Sequence, residues 1–347
     1  MIKKVMKEAV ILIPSYEPSE TLLQTIEGVL KEDFPVLLVN DGSSPKFEPI
    51  FSKAASLPRV TYRSYPTNHG KGYALKYGFS LISELYPSAR FVITVDGDGQ
   101  HALSDILKMY DFLEKKDELV FGVRSFPKGT PWKSRVGNNL SKINRSLLTK
   151  QYIADDQCGL RGFPVRYLPS LMKTKGTRYE YEMNQLIRCQ MMQYPVYSLP
   201  IQTIYADAEN STSHFRPVRD TLKIQGIILW HSIPALFTNA LLMFLLITFM
   251  ERDMAPLWLD TFLAYTSCFF LYFLLLSIFY PSQRFYRRLG KELLFTAIRL
   301  AACYQLLSLF ISVLHLPVIP FVVLSVILSA YLNVLLSWAF RKVYRAY

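Results

Sequence analysis

From Gly226 onward the chain is built from four long apolar stretches, residues 227–250, 257–280, 293–314 and 318–340. Each is about 20 residues long, the length a helix needs to cross about 30 Å of hydrocarbon. A core helix of a soluble protein would be shorter and would carry a polar face. Residues 226–347 are therefore expected to form an all-α domain of four transmembrane helices, the first of them interrupted by His231, Pro234 and Asn239. The breaks between the stretches set an orientation, because positive charge concentrates on the cytoplasmic side. The second break holds Arg284, Arg287, Arg288 and Lys291, and the tail holds Arg341, Lys342 and Arg345. The first break has only Arg252 between Glu251 and Asp253, and residues 315–320 have no Lys or Arg. Both chain ends, and everything before the first stretch, are thus expected in the cytoplasm of a multi-pass protein of the cytoplasmic membrane. Arg299 falls inside the third stretch about two turns from that side, where a long side chain is expected to snorkel to the surface. Asn333, in the fourth, suits a hydrogen bond to a neighbouring helix.

Residues 1–225 have a different character, mixing charges with short apolar runs, and are long enough to bury a core of their own. The net charge of +12 would admit a nucleic-acid partner. In this half, however, basic and acidic residues are interspersed, and the membrane half accounts for the remaining asymmetry, so no nucleic acid is expected. One basic cluster stands apart: residues 125–150 carry Lys128, Lys133, Arg135, Lys142, Arg145 and Lys150 and no acid. It suits an anionic membrane face or a phosphate, with a solvated basic helix as the alternative. Cys158, Cys189, Cys268 and Cys303 lack metal or redox spacing and read as reduced thiols. The apolar run after Lys3, Lys4 and Lys7 ends by Ile13, too short for a signal peptide.

Within residues 1–225, short β-branched runs at 9–13, 36–39, 60–63, 91–95 and 119–123 alternate with helix-like stretches at 20–30, 73–85 and 104–115. Such alternation predicts an α/β fold with a mostly parallel sheet and helices on its faces. Ligands of such sheets bind beyond the carboxyl ends of the strands. Three of these ends are polar and turn-rich: Pro14-Ser15-Tyr16, Asn40-Asp41-Gly42 and Asp96-Gly97-Asp98-Gly99-Gln100. Asp96 and Asp98 are two residues apart, so in an extended segment their carboxylates share a face and can meet on one hard divalent cation. A solvated turn is the alternative. Asn68-His69-Gly70-Lys71-Gly72, just before a predicted helix, combines glycines, free amides and a lysine into a plausible anion cradle, without P-loop spacing. Asp41 can accept hydrogen bonds from a base or a ribose, or simply close an Asx-turn.

In this order, over roughly residues 8–222, these segments resemble the family-2 glycosyltransferases of GT-A fold. The resemblance points to the branch that charges polyprenyl phosphate, the relatives of dolichol-phosphate-mannose synthase and of bacterial undecaprenyl-phosphate glycosyltransferases. Segments 155–162 (Asp-Asp-Gln-Cys-Gly-Leu-Arg-Gly), 178–184 (Arg-Tyr-Glu-Tyr-Glu-Met-Asn) and 213–220 (Ser-His-Phe-Arg-Pro-Val-Arg-Asp) carry it further. It implies that Pro14, Tyr16 and Asp41 hold the nucleoside of the donor, with Lys71 and Asp96 also on the donor side. By the same resemblance, Asp96, Asp98 and Gln100 would ligate Mg²⁺ or Mn²⁺, and Asp155 and Asp98 would be catalytic. Arg124, Arg135, Arg216 and Arg219 would take the phosphates of donor and acceptor. The chain departs from many relatives in reading Tyr16-Glu17-Pro18 where they have Tyr-Asn-Glu. The membrane half resembles the GtrA-like four-helix proteins in helix count and in its ending Trp338-Ala-Phe-Arg341-Lys342.

The resemblance implies an inverting transfer of a hexose from a nucleotide-diphosphate sugar, UDP-linked in preference to GDP-linked, to undecaprenyl or another polyprenyl phosphate. The lipid-linked sugar would then serve modification of a bacterial cell envelope, and homo-oligomers are left open. A binding-only partner of a lipid-sugar flippase and a GDP-mannose-dependent mannosyltransferase are the rival readings. A processive polysaccharide synthase is disfavoured by the lack of a Gln-x-x-Arg-Trp motif.

Overall fold

A computed structural model describes residues 6–124, 158–192, 194–202, 217–252, 256–279, 285–313 and 318–345. The first unit is a seven-stranded sheet in the order β3-β2-β1-β4-β6-β5-β7. Its strands are β1 (Ala9–Ser15), β2 (Val36–Asp41), β3 (Val60–Tyr65), β4 (Phe91–Thr94), β5 (Leu119–Arg124), β6 (Arg161–Pro164) and β7 (Val196–Ile201). β1 is buried along its whole length, as expected where helices cover both faces of a parallel sheet. Alternation decides which helices those are. Ala9, Ile11, Ile13, Val36, Leu38, Phe91 and Ile93 face one way. They pack there with α1 (Thr21–Lys31), α2 (Glu48–Ala55) and α4 (Leu103–Lys116). Leu12 points the other way, against Gly78 of α3 (Lys71–Leu85), where an added Cβ would sit 2.4 Å from the leucine side chain.

The five strands expected from the sequence are present, and β1, β2, β3 and β4 pair in parallel. After β3 the chain crosses back to the other side of β1 to form β4, so the carboxyl ends of β1 and β4 flank a topological switch point. Two strands were not legible. β6 is only four residues, Arg-Gly-Phe-Pro, too short for an alternating pattern. β7 contains Pro200, tolerated because it is an edge strand. β6 runs antiparallel to both β4 and β5. It therefore starts where β4 ends, with Thr94 opposite Arg161, and residues 158–161 are delivered to the same edge as the parallel strand ends. After β6 come α5 (Leu168–Met172) and α6 (Glu180–Met191).

Arg161 pins this crossing. Its side chain is only 2% exposed. It donates to the Cys158 carbonyl at 2.9 Å, the Glu182 carbonyl at 2.8 Å and Gln185 Oε1 at 2.7 Å, and lies over the Phe121 ring. A buried charge is tolerable only when so completely bonded.

The second unit comprises the helices from residue 225 on. α7 (Pro217–Glu251), α8 (Leu257–Phe279), α9 (Phe285–Leu307, continued by a π-helical turn Ser308–Val313) and α10 (Val318–Arg345) lie along the four apolar stretches. Two are long and apolar enough to cross a membrane: Ile233–Glu251 and Leu257–Leu275, with mean hydropathy 2.1 and 1.4. α10 has a shorter apolar run, Val318–Leu332. α7 begins well before the first apolar stretch, with Pro217 in its first turn, a position that suits proline, and it continues through Pro234. Leu242, Leu246, Ala264, Tyr265, Cys303, Leu307, Val322 and Val326 form a common core. Trp230, Phe244, Phe270, Ile278 and Leu335 point outward. Helices apolar all round suit a lipid surround. All four cysteines are free and buried. Arg299 departs from expectation: it does not snorkel but is 7% exposed among the helices, where its guanidinium lies 5.8 Å from the centre of the Tyr265 ring.

Replacing Arg161 by alanine removes the donor from three buried acceptors. Arg161→Ala is expected to lower stability by about 3 kcal/mol or more, seen as a fall of at least about 5 °C in melting temperature. A melting temperature unchanged in a purified, monodisperse variant would contradict the anchoring role.

Candidate active site

β1, β2 and β4 run in the same direction, so Ser15, Asp41 and the residues after Thr94 emerge along one edge. The segment 67–71, which enters α3, ties two of these ends together. On the β2 side, Asp41 is 2% exposed and acts as a hub. It accepts hydrogen bonds from the Tyr65 hydroxyl at 2.8 Å, Asn68 Nδ2 at 3.1 Å, the His69 amide at 2.9 Å and the Gly70 amide at 2.8 Å. Burial pushes its carboxyl above the ordinary range, and these donors pull against that. Gly70 makes the turn at φ +99°, where a Cβ would also strike Arg178 and Thr177. The Tyr65, His69 and Tyr73 rings cluster over it, with centroids 4.6–5.6 Å apart.

One residue further on, Lys71 reaches the β4 side. Its Nζ lies 2.6 Å from Asp96 Oδ1 and 3.0 Å from Glu182 Oε1. Burial alone would favour the neutral amine, but the two carboxylates hold Lys71 well above the usual lysine range. Burial alone would likewise raise Asp96. Lys71, with His101 Nε2 at 3.4 Å from Asp96 Oδ2, holds it well below the carboxylate range instead. The backbone closes on Asp96 from the third side: a Cβ at Gly159 would sit 2.3 Å from its carboxylate, so glycine is required there. Thr94 holds that approach by donating to the Gly159 carbonyl at 2.7 Å. His101 Nδ1 is buried without a hydrogen-bond partner among the described residues.

Asp98 sits in the loop beyond, accepting the Gln100 amide at 3.1 Å. Burial first, and then the neighbouring Asp96 charge, push its carboxyl up. Asp96, Asp98 and the amide oxygen of Gln100 are all hard oxygen donors, the set that suits a divalent cation of the Mg²⁺ or Mn²⁺ type. Among the described residues no three His, Cys, Asp or Glu converge. The chain alone thus offers an incomplete shell, of the kind such a cation completes with water and phosphate oxygens. A cation here would also relieve the repulsion between the two acids.

Of the other sequence candidates, Pro14 is buried at the end of β1 and Tyr16 follows it, half-buried, with burial and Glu17 raising its phenol. Arg124 ends β5, which is separated from β4 by β6. Arg135, Asp155 and Arg216 lie outside the described residues, as does the basic cluster 125–150. Arg219 falls in α7, its side chain undescribed. Glu182, His101 and Gly159 were given no role from the sequence. Gly159 and Glu182 fall inside quoted segments and His101 directly follows one, but their convergence on Lys71 and Asp96 arises from chain crossings that no local pattern encodes.

Lys71→Met would leave Asp96 and Glu182 as buried acids without a counter-charge, a loss of about 3–5 kcal/mol in comparable pairs. Adding Glu182→Gln is expected to recover at least about 1 kcal/mol of it. Melting curves of the two single variants and the double variant check this, and strictly additive losses would show that Lys71 does not bridge the two acids.

The family model described as glycosyl transferase family 2 matches residues 10–171, which include β1 through β6 and both strand ends joined by Lys71. The UDP-N-acetylglucosamine–dolichyl-phosphate N-acetylglucosaminyltransferase of Methanococcus voltae is 27% identical over 217 residues, covering 57% of this chain and 86% of that protein. An undecaprenyl-phosphate 4-deoxy-4-formamido-L-arabinose transferase of Enterobacter is 26% identical over 161 residues, covering 44% of this chain and 47% of that one. Among solved structures, glucosyl-3-phosphoglycerate synthase of Mycobacterium tuberculosis, in complex with Mn²⁺, UDP and phosphoglyceric acid, aligns with a TM-score of 0.47 at 15% identity. That alignment covers 65% of this chain and 78% of the synthase, and is too distant to transfer a ligand. Residues 10–171 match the glycosyltransferase family 2 model, over most of a mixed seven-stranded sheet, and the chain is a glycosyltransferase.

Proposed function

We propose that the chain transfers a sugar from a nucleotide-diphosphate donor to a polyprenyl phosphate at the cytoplasmic face of a membrane. The observation that carries this reading is the Lys71–Asp96 pair at the strand edge of a family 2 domain whose chain continues into helices apolar enough to enter lipid. The names of the Methanococcus voltae and Enterobacter relatives, a dolichyl-phosphate and an undecaprenyl-phosphate transferase, support the lipid acceptor. The uridine nucleotide in the first name favours a UDP-linked donor. The sequence assigns residues 1–225 to the catalytic domain and 226–347 to a four-span anchor with both ends in the cytoplasm, and the charge distribution among the breaks supports that topology.

In this reading Pro14, Tyr16 and Asp41 line the place of the nucleoside. Asp41 spends its carboxylate on residues 65–70, so its contribution to donor binding is to shape the pocket wall. Asp96, Asp98 and Gln100 would hold a divalent cation, which when bound supplies positive charge to a leaving diphosphate. Lys71, kept cationic, adds charge beside it. The acceptor phosphate has a second pKa of about 6, so it is already largely anionic at neutral pH and needs no strong base. Asp155 then positions sugar or acceptor, and Arg124, Arg135, Arg216 and Arg219 orient phosphates, arginine's planar fork suiting two hydrogen bonds at once.

Purified full-length chain, polyprenyl phosphate and a UDP-sugar panel test this, with lipid product identified by mass. Asp98→Asn is expected to retain fold and membrane insertion while losing transfer by at least about tenfold, and a chelator to abolish it. Full transfer in excess chelator would remove the cation from the account, and no lipid product with any donor would overturn the acceptor assignment.

A further inference from the structure

The helical unit holds a buried arginine. Arg299, in the middle of α9, is 7% exposed. Its Nε has no hydrogen-bond partner among the described residues. A guanidinium stays protonated at any accessible pH, and burying one uncompensated costs several kcal/mol. Its one described attraction is to the face of Tyr265, 5.8 Å from the ring centre. Such an interaction is worth about 2 kcal/mol even when desolvated, too little to offset that burial.

Arg299 lines a small recess between α7, α8 and α9, with a cavity volume of about 20 Å³. Thr238, Asn239, Tyr265 and Thr296 line it too, among apolar neighbours such as Leu242 and Phe269. The Tyr265 hydroxyl is also buried, with no hydrogen bond of normal geometry among the described residues. Thr238 is already committed, its hydroxyl donating to the Pro234 carbonyl at 2.8 Å. A guanidinium nitrogen and a phenol hydroxyl that lack normal hydrogen bonds among the described residues, with amide and hydroxyl groups beside them around one recess, are complementary to an anion rich in acceptors.

We propose that this recess is an oxyanion site for phosphate, with Arg299 as its charge and Tyr265, Asn239 and Thr296 as its neutral donors. Phosphate matches the guanidinium fork through two parallel hydrogen bonds. Water would fill the recess but leave the charge uncompensated. In an apolar helical unit the source of that phosphate is a lipid headgroup, and free phosphate is the alternative. The inference rests on the membrane reading of this unit, and it is separate from the acceptor site of the sheet domain.

The test uses the full chain in detergent and a short-chain prenyl phosphate with a photoreactive diazirine on the isoprene unit next to the phosphate. Cross-links are mapped by peptide mass. We expect cross-links within α7, α8 and α9 that unlabelled prenyl phosphate suppresses and the matching prenol does not. Arg299→Gln should lower their yield by about tenfold or more, as expected for losing a charged hydrogen bond, while cross-links to peptides before residue 203 persist. Suppression by inorganic phosphate at equal concentration would identify free phosphate as the source and keep the site. Equal suppression by prenol and prenyl phosphate, or an unchanged yield in Arg299→Gln, would overturn it. Should that variant fail to fold, Thr296→Val, similar in shape and uncharged, is expected to lose about threefold, and no loss would count against the site. Transfer measured on the same preparation separates the two readings: transfer without these cross-links refutes the recess, and cross-links without transfer refute the proposed enzyme activity.

Discussion

The ion pair between Lys71 and Asp96, with Glu182 on the far side of the lysine, is the contact on which the soluble architecture turns. Lys71 opens α3, Asp96 follows β4 and Glu182 sits on α6, so one ammonium joins three pieces of chain that are distant in sequence. Each carboxylate is unfavourable in that setting without the lysine, and the lysine is unfavourable without them. The neighbouring backbone is shaped to the same end: Gly159 has no side chain because Asp96 occupies the space, and β6 runs antiparallel because only then does residue 159 arrive at the end of β4. Gly70 takes its positive φ so that Asp41 can gather the amides just before Lys71.

This explains why the edge can be both rigid and charged. Interior hydrogen bonds to Asp41 fix the segment 68–70, and that segment aims Lys71. Asp98 is left one loop further out, less committed and held above its ordinary range by burial and by Asp96. A site that must accept a diphosphate, and release it, benefits from one acid locked in an ion pair and one held less tightly. The division of labour between Asp96 and Asp98 follows from their depth, not from their identity.

Much of this could be read from the chain itself, and what could not has physical reasons. Strands β1, β2 and β4 announce themselves as apolar, β-branched runs because both faces are buried, and α1, α3 and α4 by their periodicity. β6 and β7 are silent because one is too short to alternate and the other carries a proline that only an edge permits. The polar strand ends were legible as a site because position in a parallel sheet dictates where ligands go. Asp41 illustrates the limit: its place was legible, but its use as an interior acceptor depends on Tyr65, Asn68 and Gly70 folding back onto it. Arg299 shows the converse error. Its distance from the helix end favoured snorkelling, whereas the fold buries it among the helices.

The central claim is that donor diphosphate binds at the edge formed by residues 67–72 and 95–101, and hydrogen exchange on the full chain addresses it without presuming a sugar or an acceptor. Amide exchange is followed by mass with and without UDP and Mn²⁺. The account predicts slowed exchange in peptides covering 67–72 and 95–101 only when nucleotide and metal are both present, and no such change in Asp98→Asn. Protection confined to other peptides, or identical exchange in these two segments with and without ligand at saturating concentration, would contradict it.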